Sequence, residues 1–185
     1  GNESEGLRYG TLLTGEKFYM EWKDDGFKEH EEERDPVDVR ISKACEGIEN
    51  KLLKQIYAMF DKKRFIDLIM NFVVFYKGIK KVCRYNQYFG IKRTQQRLNN
   101  LRTELHNPNR DPDKPMGGIL WHTQGSGKTL TMVWLAKWIL THWAELNARV
   151  LIVTDRDELD EQIEKTFTGV DENIARTKSG KDLLN

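Results

Sequence analysis

His122-Thr-Gln-Gly-Ser-Gly-Lys-Thr129 lies between the apolar run Gly118-Ile-Leu-Trp121 and the helix-like Leu130-Thr-Met-Val-Trp-Leu-Ala-Lys-Trp-Ile-Leu140. A glycine-rich loop therefore joins a strand to a helix. Gly125 and Gly127 let the backbone curl until successive N–H groups, with the positive end of the following helix, surround a phosphate chain. Lys128 is placed to reach the β- and γ-phosphates and Thr129 to ligate Mg²⁺. A site for ATP and Mg²⁺ is expected, with Thr123, Gln124, Gly125, Ser126 and Gly127 completing the loop and Lys128 and Thr129 carrying the chemistry.

The strict Walker pattern wants a glycine where this chain has His122, so the match is to GxGKT rather than to GxxxxGKT. An ordinary glycine-rich turn would not also set an apolar strand before the loop and a Lys-Thr pair at the start of an apolar-faced helix.

Downstream of the loop helix, expected over 128–146, residues 149–154 are almost continuously apolar and residues 158–167 take helical spacing. With 117–122 as the preceding strand, the order strand, helix, strand, helix implies a parallel sheet. Such a sheet has its ligand crevice at the carboxyl ends of its strands, where the loop and Thr154-Asp155-Arg156-Asp157 both fall. Asp155 and Asp157 read as N-cap residues of the next helix, without a catalytic role.

Upstream, residues 1–23 suit a short strand and a turn leading into a helix. Residues 24–40, crowded with carboxylates before Pro36, read as a solvated linker. Apolar positions at helical spacing over 45–60 and 64–75 predict two amphipathic helices whose stripes face a core. Gly78 and the basic residues Lys77, Lys80 and Lys81 mark a turn, followed by a long helix over 85–105 and a loop from 106 to 115. Trp134 and Trp138, four apart on the helix behind the loop, are expected to pack on the sheet. Lys92, Arg93, Arg97 and Arg102 read as a solvated helix face.

Thirty basic residues against 29 acidic give almost no net field, so bulk charge names no partner. The chain reads as soluble, with no apolar stretch long enough to cross a bilayer; Asp67 and Asn71 interrupt 65–75. Cys45 and Cys83 match no metal spacing and read as ordinary thiols of a reducing, cytoplasmic compartment. His30, His106 and His142 form no metal site, which leaves Mg²⁺ carried in with ATP.

Two further segments, Arg84-Tyr-Asn-Gln-Tyr-Phe-Gly-Ile91 and Val150-Leu-Ile-Val-Thr-Asp-Arg-Asp-Glu-Leu159, together with the loop resemble a superfamily 2 helicase or translocase. That resemblance implies that Gln87 reads the adenine edge, since a side-chain amide offers both a donor and an acceptor. It also implies that Thr154 and Arg156 touch nucleic-acid phosphates without reading sequence.

Longer strings sharpen it: RYGTLLTGEKFYMEWK, DLIMNFVVFYK, RYNQYF, GGILWHTQGSGKTLTMVWLA and VLIVTDRDELDEQI resemble the restriction (R) subunit of type I restriction-modification enzymes. The similarity runs from about Leu7 to Leu184, and His122 is the residue that family carries in its loop.

The resemblance implies a partial RecA-like P-loop NTPase domain over 81–185, a helical connecting segment over 41–80, and over 1–40 the tail of an upstream nuclease domain with a charged linker. It implies an ATP-driven, DNA-cleaving motor on double-stranded DNA, held by methylation and specificity subunits, with no membrane partner. The nuclease carboxylates are expected upstream of the chain and the DExH box and arginine finger downstream; Glu21-Trp-Lys23 only imitates half a nuclease site. On that view the 185 residues bind nucleotide with negligible hydrolysis. The alternatives are another superfamily 2 translocase without a nuclease, and a nucleotide-dependent scaffold that binds partners through residues 36–76 without turnover.

Overall fold

A computed structural model describes residues 1–24, 35–113 and 115–177. It is a mixed α/β structure. Strands β1 (Arg8–Tyr9) and β2 (Met20–Glu21) form an antiparallel pair, with a 3₁₀ turn at Glu16–Phe18 between them. Helices α1 (Pro36–Ala44), α2 (Lys51–Phe60) and α3 (Lys62–Asn71) follow, then the antiparallel hairpin β3 (Val73–Tyr76) and β4 (Ile79–Val82). The long helix α4 (Tyr85–Leu105), the loop helix α5 (Lys128–His142), a 3₁₀ turn at Ala144–Leu146 and α6 (Asp157–Thr168) complete the order.

Local chemistry sets the first three helices. The Asp35 side chain accepts from the Val37 N–H at 2.8 Å, with Pro36 in the first turn; Asn50 caps α2 through the Leu53 N–H, and Asp61 caps α3 through the Lys63 and Arg64 N–H groups. The charged stretch 24–40 is therefore helical from Pro36, contrary to the solvated linker read from sequence, because Asp35-Pro36 is a helix start. Its residues 25–34 lie outside the described residues.

The helix expected over 64–75 also ends early, at Asn71. The β-branched pair Val73-Val74 continues instead as a strand, and the hairpin closes through Lys77 (φ 51°) and Gly78 (φ 77°). Two consecutive positive φ angles are what a two-residue hairpin turn requires, and the Gly at the second position relieves its strain.

One apolar cluster runs across the chain. Trp22, fully buried, lies 5.5 Å from the Tyr88 ring and 5.6 Å from Phe89; Phe72 meets Tyr88 at 4.7 Å and Trp134 at 6.3 Å (centroid distances). These rings fasten the segment before residue 24 to α4, and α4 to α5. Ile163 and Phe167 of α6 join the same cluster. Trp134 is core, though it packs on Phe72 rather than on the expected parallel sheet, whereas Trp138 is half-buried and stacks on His142 at 4.9 Å.

Arg64, 1% exposed, sits inside this cluster. Its guanidinium donates to Asp38, to Asp24 at 3.0 Å and to the Ala58 carbonyl at 2.8 Å, and lies 5.2 to 5.8 Å from the rings of Phe89, Tyr88 and Trp22. A buried cation needs such compensation, and here two carboxylates, a carbonyl and three ring faces supply it.

The apolar stripes of α2 and α3 do not all turn inward. Ala58, Met59 and Leu68 are buried with the polar Gln55 and Arg64, while Leu53, Ile56, Tyr57, Phe60, Ile66 and Ile69 are exposed. Periodicity gives the width of an apolar face; the neighbours in space decide how much of it is covered.

The expected parallel sheet is not formed among the described residues, whose strands make only the two antiparallel pairs. Residues 117–122 and 149–154 take part in no ladder, and Ile119, Trp121 and Val153 are 92, 87 and 83% exposed. Apolar composition suits a run to a buried strand, but a strand exists only through a hydrogen-bonding neighbour, and neither run has one here. The helices around them match the sequence closely: α4 spans 85–105 as expected, and the 128–146 helix divides into α5 and the 3₁₀ turn.

Candidate nucleotide-binding site

The loop enters α5 through two glycines in the left-handed region, Gly125 (φ 75°) and Gly127 (φ 83°), the latter being the N-cap residue. With no side-chain cap there, the orphan N–H groups of the first turn remain available to an anion. Lys128 folds back over the loop, donating to the His122 and Thr123 carbonyls, both at 2.8 Å. Its ammonium thus lies over the concavity that the loop forms. Thr129 is half-buried in the first turn of α5, and Ser126 is buried with its hydroxyl making no hydrogen bond among the described residues. These are the donors and acceptors that a phosphate chain with a bound Mg²⁺ would use, so the residues fit that cofactor.

Helix α4 holds the loop from the side. Gln87 is 3% exposed; its Nε2 donates to the Gly127 carbonyl at 2.9 Å and its Oε1 accepts from the Arg84 N–H at 2.9 Å. The Gly127 carbonyl also accepts from the Thr131 N–H at 3.1 Å and the Thr131 hydroxyl at 3.3 Å. Arg84 reaches the Gly125 carbonyl at 3.4 Å. A Cβ on Gly127 would stand 2.6 Å from Gln87 Nε2, so closeness to α4, as well as backbone conformation, keeps this position glycine.

His122, where the strict loop pattern has glycine, packs against α4 at Gly90: a Cβ there would meet Leu120 Cδ1 at 2.9 Å and His122 Nε2 at 3.1 Å. Burial lowers the His122 pKa; a backbone hydrogen bond at Asn86 opposes this, and the nearby Lys128 charge adds to the lowering. Both burial and the lysine thus favour the neutral ring. The pairing of Gly90 with His122 was not anticipated from sequence; a glycine inside an otherwise regular helix is the signal that could have pointed to it.

Helix α6 packs beside α5, and Lys137 of α5 pairs with Glu172, just past α6, at 2.7 Å. This ties the C-terminal half of α5 to the segment that leaves α6. Thr154 is half-buried; the Arg156 side chain is 71% exposed and lies 3.7 Å from Asp155. Arg156 is itself the N-cap residue of α6, with no side-chain cap bond, which corrects the capping read for Asp155 and Asp157. Asp157 is instead the first helical residue and joins Glu158 and Asp160 in an acidic first turn that complements the helix dipole.

Residues 86–185 match the SWI2/SNF2 ATPase family. The chain belongs to that family. The match begins one residue before Gln87 and takes in the loop, α5 and α6, so the SWI2/SNF2 region contains the geometry just described apart from the Arg84 contacts.

The resemblance to type I restriction R subunits also holds. The endonuclease subunit of the type I restriction enzyme HindI from Haemophilus influenzae is 29% identical over 98% of the chain and 15% of its own length. A Methanocaldococcus jannaschii protein named as the type I restriction enzyme MjaIXP endonuclease subunit is 33% identical over 69% of the chain and 12% of its own length. The MjaVIIIP counterpart from the same organism is 30% identical over 66% of the chain. The chain thus spans about an eighth to a seventh of the length of these relatives. No solved structure matches. Among the described residues, no helix is long and apolar enough to cross a membrane.

Proposed function

We propose that the chain is the ATP-binding part of the DNA-translocating, DNA-cleaving subunit of a type I restriction endonuclease. The observation that carries this reading is the loop itself: Gly125 and Gly127 in left-handed conformation, an uncapped α5 N-terminus, and Lys128 poised over the curl. Loop residues Thr123 to Gly127 wrap the phosphates, Lys128 neutralises the β- and γ-phosphates, Thr129 holds Mg²⁺, and Gln87 meets the adenine edge. Bound Mg²⁺ would offset charge between the β- and γ-phosphates.

On the same reading Thr154 and Arg156 touch the backbone of double-stranded DNA, and methylation and specificity subunits hold the motor in a cytoplasmic complex. Residues 81–185 begin a RecA-like domain, preceded by a connecting segment over 41–80 and an upstream tail over 1–40. The exposed apolar runs 117–122 and 149–154, each leading into the loop or α6, suit strands of its parallel sheet. The restriction-subunit names of the relatives favour a motor joined to a nuclease over a superfamily 2 translocase without one.

The test is titration with a fluorescent ATP analogue in the presence of Mg²⁺. Wild-type protein binds, and Lys128→Ala abolishes binding with the far-UV spectrum unchanged; equal binding by the variant refutes the site.

A further inference from the structure

Between Asp67 and Glu104 the sequence has eight basic residues and no carboxylate, in a chain whose formal net charge is +1. Several of these charges are engaged. Lys92 pairs with Asp67 at 3.1 Å and Asp35 at 3.8 Å, Arg97 bonds the Pro115 carbonyl at 2.7 Å and approaches Glu104 at 3.8 Å, and Arg84 reaches the loop at Gly125. The three lysines of the β3–β4 hairpin differ. Among the described residues, Lys77, Lys80 and Lys81 make no ion pair, and each ammonium rests on an aromatic ring. Lys81 and Lys77 lie 4.7 and 5.6 Å from the Tyr76 centroid, and Lys80 lies 5.5 Å from Phe75.

The hairpin is fixed in place. The Lys77 N–H donates to the Gly169 carbonyl at 2.8 Å, and Tyr76 packs so closely on Gly169 that a Cβ there would stand 2.6 Å from its ring. Val74 anchors one face in the core, and its cross-strand partner Lys81 lies half-buried on that side, while Phe75 and Lys80 project from the other. The ribbon is docked at the C-terminal end of α6, with Lys77 and Lys80 exposed and Lys81 half-buried beside them, whereas the phosphate loop leads into the N-terminal end of α5.

We infer that the β3–β4 hairpin is a second nucleic-acid contact, in which Lys77, Lys80 and Lys81 hold the phosphate backbone of duplex DNA. The inference rests on the DNA-motor reading above and adds a surface to it. Charge complementarity names a polyanion. The ring faces are already covered by ammonium groups, which favours phosphate contact over stacking of unpaired bases. Holding each lysine over a ring also reduces the rotamer freedom that binding would remove.

The experiment measures binding of a fluorescent duplex of arbitrary sequence by anisotropy across a salt series. It compares wild type, Lys77→Ala/Lys80→Ala/Lys81→Ala, and a control triple of exposed lysines elsewhere, Lys43→Ala/Lys54→Ala/Lys62→Ala. The hairpin triple should bind at least about tenfold more weakly at 0.1 M salt. Its slope of log K against log salt should flatten by about 2.7, at ~0.9 for each phosphate no longer neutralised. The control triple should keep most of its affinity and slope.

Equal weakening in both triples, weakening in neither, or no duplex binding by wild type overturns the inference. So does a hairpin triple that keeps its duplex affinity but self-associates in sedimentation, which would assign the lysines to guarding the ribbon edge. A preference of the hairpin for single strands, seen as weakening confined to a single-stranded probe, overturns it too. Binding of the fluorescent ATP analogue is read in parallel. If ATP binds and the hairpin triple still holds duplex DNA as wild type does, the hairpin inference alone falls, whereas failure of ATP to bind wild type would remove the motor reading itself.

Discussion

The Gln87 side-chain amide donates to the Gly127 carbonyl at 2.9 Å, joining the first turn of α4 to the residue that starts α5. The same amide accepts the Arg84 N–H, so one side chain closes its own helix end and braces the phosphate loop. A residue with both duties serves a nucleotide by fixing the loop that meets the phosphates; to meet a base as well, its buried amide would have to turn away from one of these partners.

Gln87→Ala should therefore weaken fluorescent-ATP binding by about tenfold, the cost of leaving buried partners unmatched being roughly 1–3 kcal/mol. Gln87→Glu keeps the acceptor and removes the donor, so it should show the loop effect while retaining the helix cap. Competition with GTP separates the duties: loss of ATP preference marks a base contact, and an equal loss for both nucleotides marks loop bracing alone. Unaltered affinity in both variants would remove Gln87 from the site.

Gly90→Ala tests the close approach between α4 and His122. The added methyl would meet Leu120 and the His122 ring at 2.9 and 3.1 Å, so the ring and the loop that begins with it must move. Helix propensity favours alanine by about 1 kcal/mol, hence a rise in thermal midpoint with unchanged nucleotide affinity would show that the close approach does not position the loop. The expected outcome is weaker nucleotide binding without a gain in stability.

Arg64→Ala should lower the free energy of unfolding by about 3 kcal/mol in urea titration, because Asp24 and Asp38 lose the cation that compensates them. Trp22→Ala should cost about 3–5 kcal/mol by vacating the centre of the aromatic cluster. Since the guanidinium lies 5.8 Å from the Trp22 ring, the double variant should lose less than the sum of the two. Strict additivity would mean that the cation and the ring are energetically independent.

The pH dependence of the loop follows from His122, whose pKa is held below its ordinary value in the fold. The unfolded chain then binds the proton more readily than the native state does. The contribution of the neutral ring is present above the ordinary histidine value and is lost as pH falls through the native one. Urea titrations should show stability declining on acidification across that window, with the decline reduced in His122→Asn, and a proton NMR titration should place the His122 midpoint below that of an unfolded histidine. A midpoint at or above the ordinary value would reverse the sign.

Several elements were legible from local pattern because their causes are local. The GxGKT spacing gave the loop, the Leu130–Leu140 periodicity gave α5, and the break at Asn107-Pro108 gave the end of α4. Gly78 among lysines gave a turn, though not the hairpin, whose flanking strands were missed because residues 64–75 also satisfy helical spacing until the two valines are weighed. The neighbours of Gln87 could not be read, since 40 residues separate it from Gly127.

By itself the sequence determined what short-range chemistry can encode: glycine-dependent loop geometry, the Lys-Thr pair at a helix start, helix lengths, and a family likeness carried by strings such as RYNQYF and HTQGSGKT. Only the tertiary structure decided which faces are covered. It left Leu53 and Ile56 exposed while burying Arg64, set His122 against Gly90, and kept 117–122 and 149–154 out of any ladder among the described residues. The physical reason is that burial and strand pairing are properties of two surfaces brought together, and a single segment's periodicity specifies only one of them.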